Sequence, residues 1–219
     1  KLFYRFKSPQ SFFQISARLP VRNFYEIIPP DTACCFYLDL EHYTPRPTDD
    51  DFLEQTLRIV REAFLRHWPD IPPICLRPAP VLTASRQLPS SFKHSFHVVF
   101  PQLGFRKNHG RMREFAKDLA ELPGLQALGK SGEPQSLLDP GVYNRNQNFR
   151  LVESWKFTDS PTSDMVLRFL DQRAGDLDSL LGTVVTNTSR VTFWCEEPAP
   201  LAAAMDEPLS LLHRGMIDG

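Results

Sequence analysis

Apolar and polar residues alternate with a period of two from Cys34 to Glu41, putting Phe36, Leu38 and Leu40 on one face. That is the pattern of a half-buried strand. Pro45 and Pro47 break it. Beyond them Phe52, Thr56, Ile59, Val60, Ala63, Phe64 and Trp68 recur at helical spacing, predicting a helix capped by Thr48 or Asp49 and running to about His67. Asp50 and Asp51 fall in its first turn, where the helix dipole favours negative charge. Residues 69–90 are proline-rich and read as a connector. Alternation returns over Ser95–Phe100, a second strand. Arg111 to Leu122 reads as a helix with Met112, Phe115, Ala116 and Leu119 inward, stopped by Pro123-Gly124. Gly129 to Gln135 reads as a loop, Val142-Tyr143 and Asn148 to Phe157 as strands, and Ser163 to about Arg173 as a helix. A late strand is expected within Thr183–Cys195, and a peripheral tail from Glu196 onward. No internal repeat is visible, and the irregular order of elements argues an α+β fold rather than regular βαβ units.

The chain has 219 residues with 42% hydrophobic content, enough for one large domain or two intimate lobes. The formal net charge of −1 does not announce a nucleic-acid binder, but its distribution says more. Lys93, Arg106, Lys107, Arg111 and Arg113 span a stretch without Asp or Glu, which is either a solvated face or a site for phosphates. No apolar run approaches the ~20 residues of a membrane span. The chain begins at Lys1 with no signal-peptide pattern and is expected to be an excised fragment. Cys34, Cys35, Cys75 and Cys195 form no CxxC pair, so structural zinc within the chain is not expected, and the adjacent Cys34 and Cys35 read as buried thiols in a reducing compartment.

Chemistry concentrates in three segments. Asp39 and Glu41 lie two apart on one strand face, ~7 Å along it. Two such carboxylates suit hard divalent cations, Mg²⁺ or Mn²⁺, although the same pattern also occurs on solvent-facing strands. Lys93, Ser95 and His97 share one parity of the next strand and supply a point charge, a hydroxyl and a ring donor for phosphate oxygens. Asp139 precedes a segment in which Asn148, Arg150, Ser154 and Lys156 share even parity; Arg grips phosphate bidentately and Lys neutralises a neighbour. One further stretch, Gly124 to Ser131, matches G-x-x-x-x-G-K-S. A working phosphate loop follows a strand and opens a helix. Here a helix precedes it and Gly132-Glu133-Pro134 follows, so the match reads as accidental.

Together these segments resemble the archaeo-eukaryotic primase superfamily, most closely its primase-polymerase (PrimPol) branch. The family's D-x-E, S-x-H and hydrophobic-Asp motifs correspond to Asp39/Glu41, Ser95/His97 and Leu138-Asp139. The likeness extends to Phe24–Pro29, which leads into Phe36–Glu41, to Gly141–Leu151, and to Val191–Pro198, so it touches segments from about residue 24 to 198. It implies a catalytic core over residues 1–198, in which an N-terminal αβ lobe packs on an RNA-recognition-motif-like lobe with the active site in the cleft, and a peripheral tail over 199–219. It implies that Asp39, Glu41 and Asp139 bind Mn²⁺ or Mg²⁺ and carry catalysis. Lys93, Ser95, His97, Arg150 and Lys156 would hold the triphosphate, with Asn148 against the nucleotide. The activity implied is a nucleotidyltransferase, a DNA-directed DNA polymerase or primase that extends primers with dNTPs (with NTPs left open). Damage tolerance and a nuclear or mitochondrial location are carried over with it. Arg106, Lys107, Arg111 and Arg113 are the candidates for contacts to a DNA primer-template. The chain departs from the family in lacking a Cys/His zinc element, in a short segment before Phe24 that matches poorly, in a compact span between His97 and Asp139, and in Pro140. Extension is therefore the safer expectation than de novo priming. Two rivals stand beside it: a non-catalytic nucleic-acid-binding relative of the same fold, and a P-loop ATPase using Lys130 and Ser131.

Overall fold

The structure is a computed structural model that describes residues 5–19, 22–47, 51–129, 133–158, 162–172 and 175–195. Thr48, Asp49 and Asp50, the Lys130-Ser131 pair, Arg173 and everything from Glu196 onward lie outside the described residues. The architecture is mixed α and β, and no described helix is long and apolar enough to cross a membrane.

Two long antiparallel strands form the frame. β2 (Cys34–Thr44) pairs along its length with β5 (Phe92–Phe105), with one irregularity between Cys35 and Phe36. Both run beyond the expected limits because each is the other's hydrogen-bonding partner. β2 occupies one edge of β5; short strands share the other edge. These are β3 (Leu82–Thr83), β4 (Arg86–Gln87) and the parallel β10 (Phe193–Trp194), and β9 (Arg168–Phe169) lies outside β3. Against this sheet pack α2 (Asp51–His67) and α3 (Arg113–Glu121). The apolar stripe expected of α2 is the one buried: Phe64 meets Phe36 edge-on at 4.7 Å, and Phe115 of α3 lies 4.6 Å from Phe64. Burying each such ring contributes roughly 1.5–3 kcal/mol, so this aromatic cluster is what holds β2 and β5 rigid beneath the site.

A second apolar cluster gathers α1 (Pro9–Ser16) and α4 (Leu177–Gly182) around Phe12, Phe13, Leu151, Val152 and Leu167, while β1 (Tyr25–Ile28) pairs with β8 (Gln147–Arg150) in a ribbon whose Ile28 and Phe149 join the first core. Glu26 joins this ribbon to the chain's later part. Its buried carboxylate accepts from the Val185 and Thr186 amides at 2.9 and 2.8 Å.

Several expectations are corrected. Val142-Tyr143 belongs to a 3₁₀ turn, Pro140–Tyr143, capped by Asp139, whose side chain accepts from the Gly141 amide. The strand expected from Asn148 to Phe157 ends at Arg150, and Glu153 takes a left-handed φ of 59°. The helix expected over 163–173 is a 3₁₀ turn followed by β9, because pairing of Phe169 with Leu82 on the open edge of β3 outweighs helical spacing. The connector at 69–90 contains β3 and β4, whose polar content carries no strand period. The end of the expected 129–135 loop enters β7 (Pro134–Ser136), paired with β6 (Gln126–Leu128). The late strand expected within Thr183–Cys195 is present as the two-residue β10. The 111–122 helix is regular only over α3; the turn before it passes through Gly110 at φ 151°, a conformation that favours glycine.

Candidate active site

Cross-strand register assembles the first half of the site. Asp39 stands opposite His97, Glu41 opposite Ser95 and Tyr43 opposite Lys93, so the two polar triplets share one face of the β2–β5 pair. Leu40 and Phe96 are buried on the other face. Asp139 arrives by backbone pairing. Leu40 bridges Leu138, the Glu41 amide donates to the Leu137 carbonyl at 2.8 Å, and the Asp139 amide donates to the Asp39 carbonyl at 2.9 Å. One Asp139 carboxylate oxygen accepts from the Gly141 amide at 2.7 Å. A Cβ at Gly141 would come within 2.8 Å of that oxygen, so a larger residue there would push the carboxylate out of this hydrogen bond.

β8 closes the site. Phe149 stacks on the His97 ring at 4.2 Å and packs edge-on against Tyr37 at 4.8 Å, which fixes its neighbours Asn148 and Arg150. The result is a small cavity of about 140 Å³. Asp39, Glu41 and Asp139 line it together with Lys93, Ser95 and His97, and Asn148, Arg150 and Lys156 complete its wall. All nine residues singled out for metal and nucleotide binding therefore converge. Lys156 does so although the strand expected to carry it ends at Arg150; the loop beyond delivers it instead.

The electrostatics are those of a site divided by sign. Burial, reinforced by the charges of Glu41 and Asp139, pushes the Asp39 carboxyl up to about 7, while Lys93 and Arg150 act in the opposite sense. Burial holds His97 neutral by lowering it to about 3, with Arg150 adding to the effect. His97 Nε2 is 3.8 Å from an Asp39 oxygen, so the two do not form an ion pair at neutral pH. Lys93, largely buried, contacts Glu41 directly. Arg150 donates to the Met165 carbonyl at 2.7 Å. Burial first, and then the nearby Lys93, lowers Lys156.

The donor chemistry fits a hard divalent cation: three carboxylates border one cavity, and Asp39 Oδ1 is buried with no hydrogen-bond partner among the described residues. Among those residues no three His, Cys, Asp or Glu side chains are already closed into a metal-holding group. Glu41 contacts Lys93, and Asp139 accepts from Gly141. A cation would compete with Lys93 for Glu41. All four cysteines are free and buried.

The remaining candidates lie elsewhere. Arg106, Lys107, Arg111 and Arg113 sit at and beyond the far end of β5, ~40 Å along the strand from Lys93. Arg106 covers the Trp194 ring at 4.2 Å, Lys107 is 3.5 Å from Asp31 and Arg111 is 3.6 Å from Glu114. None of the four lines the cavity. Around the G-x-x-x-x-G-K-S match, β6 and β7 form an antiparallel hairpin, not a strand leading into a helix. Sequence reasoning missed three polar cavity residues, Tyr25, Gln147 and Arg86, and two apolar ones, Val142 and Phe149. Tyr25 and Gln147 sit inside segments that carry the family likeness; Arg86 sits in a proline-rich connector with no periodic signal at all.

No protein-family model matches the chain, and no curated protein matches it either.

Proposed function

We propose that the chain is the catalytic core of a DNA primase-polymerase of the archaeo-eukaryotic primase type, extending primers with dNTPs by divalent-metal-dependent nucleotidyl transfer. The observation that carries this reading is the convergence of four distant segments on one cavity with carboxylates and phosphate-binding cations side by side. Asp39, Glu41 and Asp139 hold Mn²⁺ or Mg²⁺, which supplies activation of the primer 3′-hydroxyl and charge neutralisation at the leaving pyrophosphate. Lys93, Arg150 and Lys156 neutralise the triphosphate, and Ser95 and neutral His97 orient it by hydrogen bonds. Asn148 lies against the nucleotide. The hydroxyl attacks the α-phosphorus in line, forming a new phosphodiester oxygen–phosphorus bond as the bond to pyrophosphate breaks. The protein's part is mainly positioning and electrostatic stabilisation. Phe149 and the aromatic cluster under β2–β5 supply the rigidity that positioning requires.

The family resemblance extends the proposal to bypass of damaged templates, to repriming in a longer protein, and to work in the nucleus or mitochondrion. Primer extension on a labelled DNA primer-template with dNTPs and Mn²⁺ or Mg²⁺ tests the activity, beside an Asp39→Ala/Glu41→Ala control. Metal-dependent extension that disappears in the control supports the reading. Primer-template binding that neither extends the primer nor responds to removal of the carboxylates would instead identify a binding module.

A further inference from the structure

The geometry points to Arg86 as a further nucleotide-binding residue, one that grips the terminal phosphate and makes the site selective for triphosphates. The inference rests on the proposed function and names its substrate's decisive group. β4 pairs with β5 so that Arg86 stands opposite Lys93, on the edge of β5 away from β2. Arg86 lines the same cavity as the carboxylates and the three cations already assigned. Its Nε is buried with no hydrogen-bond partner among the described residues, and one terminal nitrogen donates to the Ala84 carbonyl at 3.2 Å. A buried guanidinium edge without an acceptor is costly and calls for an anion.

The site also has a direction. Along β5 the order runs from His97, beside Asp39, through Ser95, beside Glu41, to Lys93 and Arg86. The four steps of strand from His97 to Lys93 span ~13 Å. The reacting phosphate belongs at the carboxylate end near Asp39 and Asp139. The tail of the triphosphate then extends toward Lys93 and Arg86. Lys93 is already engaged by Glu41, whereas Arg86 at that end has a buried nitrogen with no partner among the described residues. A planar guanidinium suits a terminal phosphate, whose three unbridged oxygens and extra charge leave two free to accept in parallel.

The test measures binding of dATP and of dADP to the wild-type chain and to Arg86→Ala and Arg86→Lys, in Mn²⁺ and without DNA, with thermal unfolding of each variant alongside. The wild type is expected to prefer dATP. Arg86→Ala should weaken dATP roughly 10- to 100-fold while dADP changes little, collapsing the preference, and Arg86→Lys should recover part of it. A loss of fold would weaken both nucleotides equally and lower the melting temperature; a preference for dATP that survives Arg86→Ala overturns the inference while leaving the polymerase reading intact. Failure of the wild type to bind either nucleotide overturns the polymerase reading and this inference with it.

Discussion

β5 carries positive charge at both ends, and the two ends differ in kind. At the Lys93 end, Lys93, Arg150 and Arg86 converge with Lys156 on a small cavity that three carboxylates also line. At the Arg106 end, the cations lie on a surface where Lys107 and Arg111 each have an acid of their own within 4 Å. Buried charges interact through a poor dielectric and lose their water, so they hold a ligand tightly and locally; exposed ones are screened within about 10 Å at ordinary salt. The same residue types thus suit different work, substrate capture at one end and loose attraction of a polyanion at the other.

The sharpest way to break this comparison is to remove its acidic counterpart. Asp39→Ala or Asp139→Ala should lower primer extension by two to three orders of magnitude or more, the scale seen when a preorganised charge-stabilising group is removed. Extension at wild-type rate in either variant would end the polymerase reading. Next in size, Lys93→Ala should raise KM for dNTP roughly 10- to 100-fold while DNA affinity changes little, because on the proposed reading Lys93 holds the triphosphate and not the duplex. Steady-state kinetics beside a DNA-binding titration separates the two.

A pH series sharpens the acidic side further. The folded chain keeps a proton on Asp39 up to about 7, whereas the unfolded chain releases it near the ordinary carboxylate value. Folded protein therefore binds the extra proton between about 4 and 7, and this group's contribution to stability falls as pH rises through that window. His97, lowered to about 3, and His42, lowered to about 4, work the other way: unfolded chain binds their protons up to the ordinary histidine range, so their contribution grows with pH. Asp39→Asn removes the opposing contribution, and its unfolding free energy should climb more steeply than wild type between about pH 4 and 6.5, by about 1.4 kcal/mol per pH unit at most. Denaturant unfolding across that range reads the difference, and parallel wild-type and variant profiles would refute the assignment. In the same sense, Mn²⁺ should bind wild type more weakly as pH falls below about 7, because the cation must displace that proton.

The smallest effects belong to the far end of β5. Lys107→Ala and Arg111→Ala should leave KM for dNTP unchanged and reduce the slope of log DNA affinity against log salt by about 0.7–0.9 for each phosphate no longer neutralised. A slope that does not move would remove that surface from the template path.

Much of the site was legible because it depends on strand parity, which is local. A period of two puts Asp39 with Glu41, and Lys93 with Ser95 and His97, before any pairing is known. Lys156 is placed by a parity that the chain does not keep, since Glu153 adopts a left-handed turn and a loop carries the lysine home. Arg86 could not be seen at all. Its strand is two residues long, and only its pairing with Lys93 gives it a role.

By itself the sequence determined which side chains share a face, where α2 begins to bury its stripe, and which segments hold carboxylates and cations. The tertiary structure alone decided that Asp39 faces His97 and Glu41 faces Ser95, that Leu138 bridges Leu40 to bring in Asp139, and that Arg86 rather than Arg106 joins the cavity. The division has a physical cause. Facing follows from backbone geometry within a few residues, whereas register is chosen by pairing between segments far apart in sequence, where burial of the Phe36, Phe64 and Phe100 core selects one alignment from many.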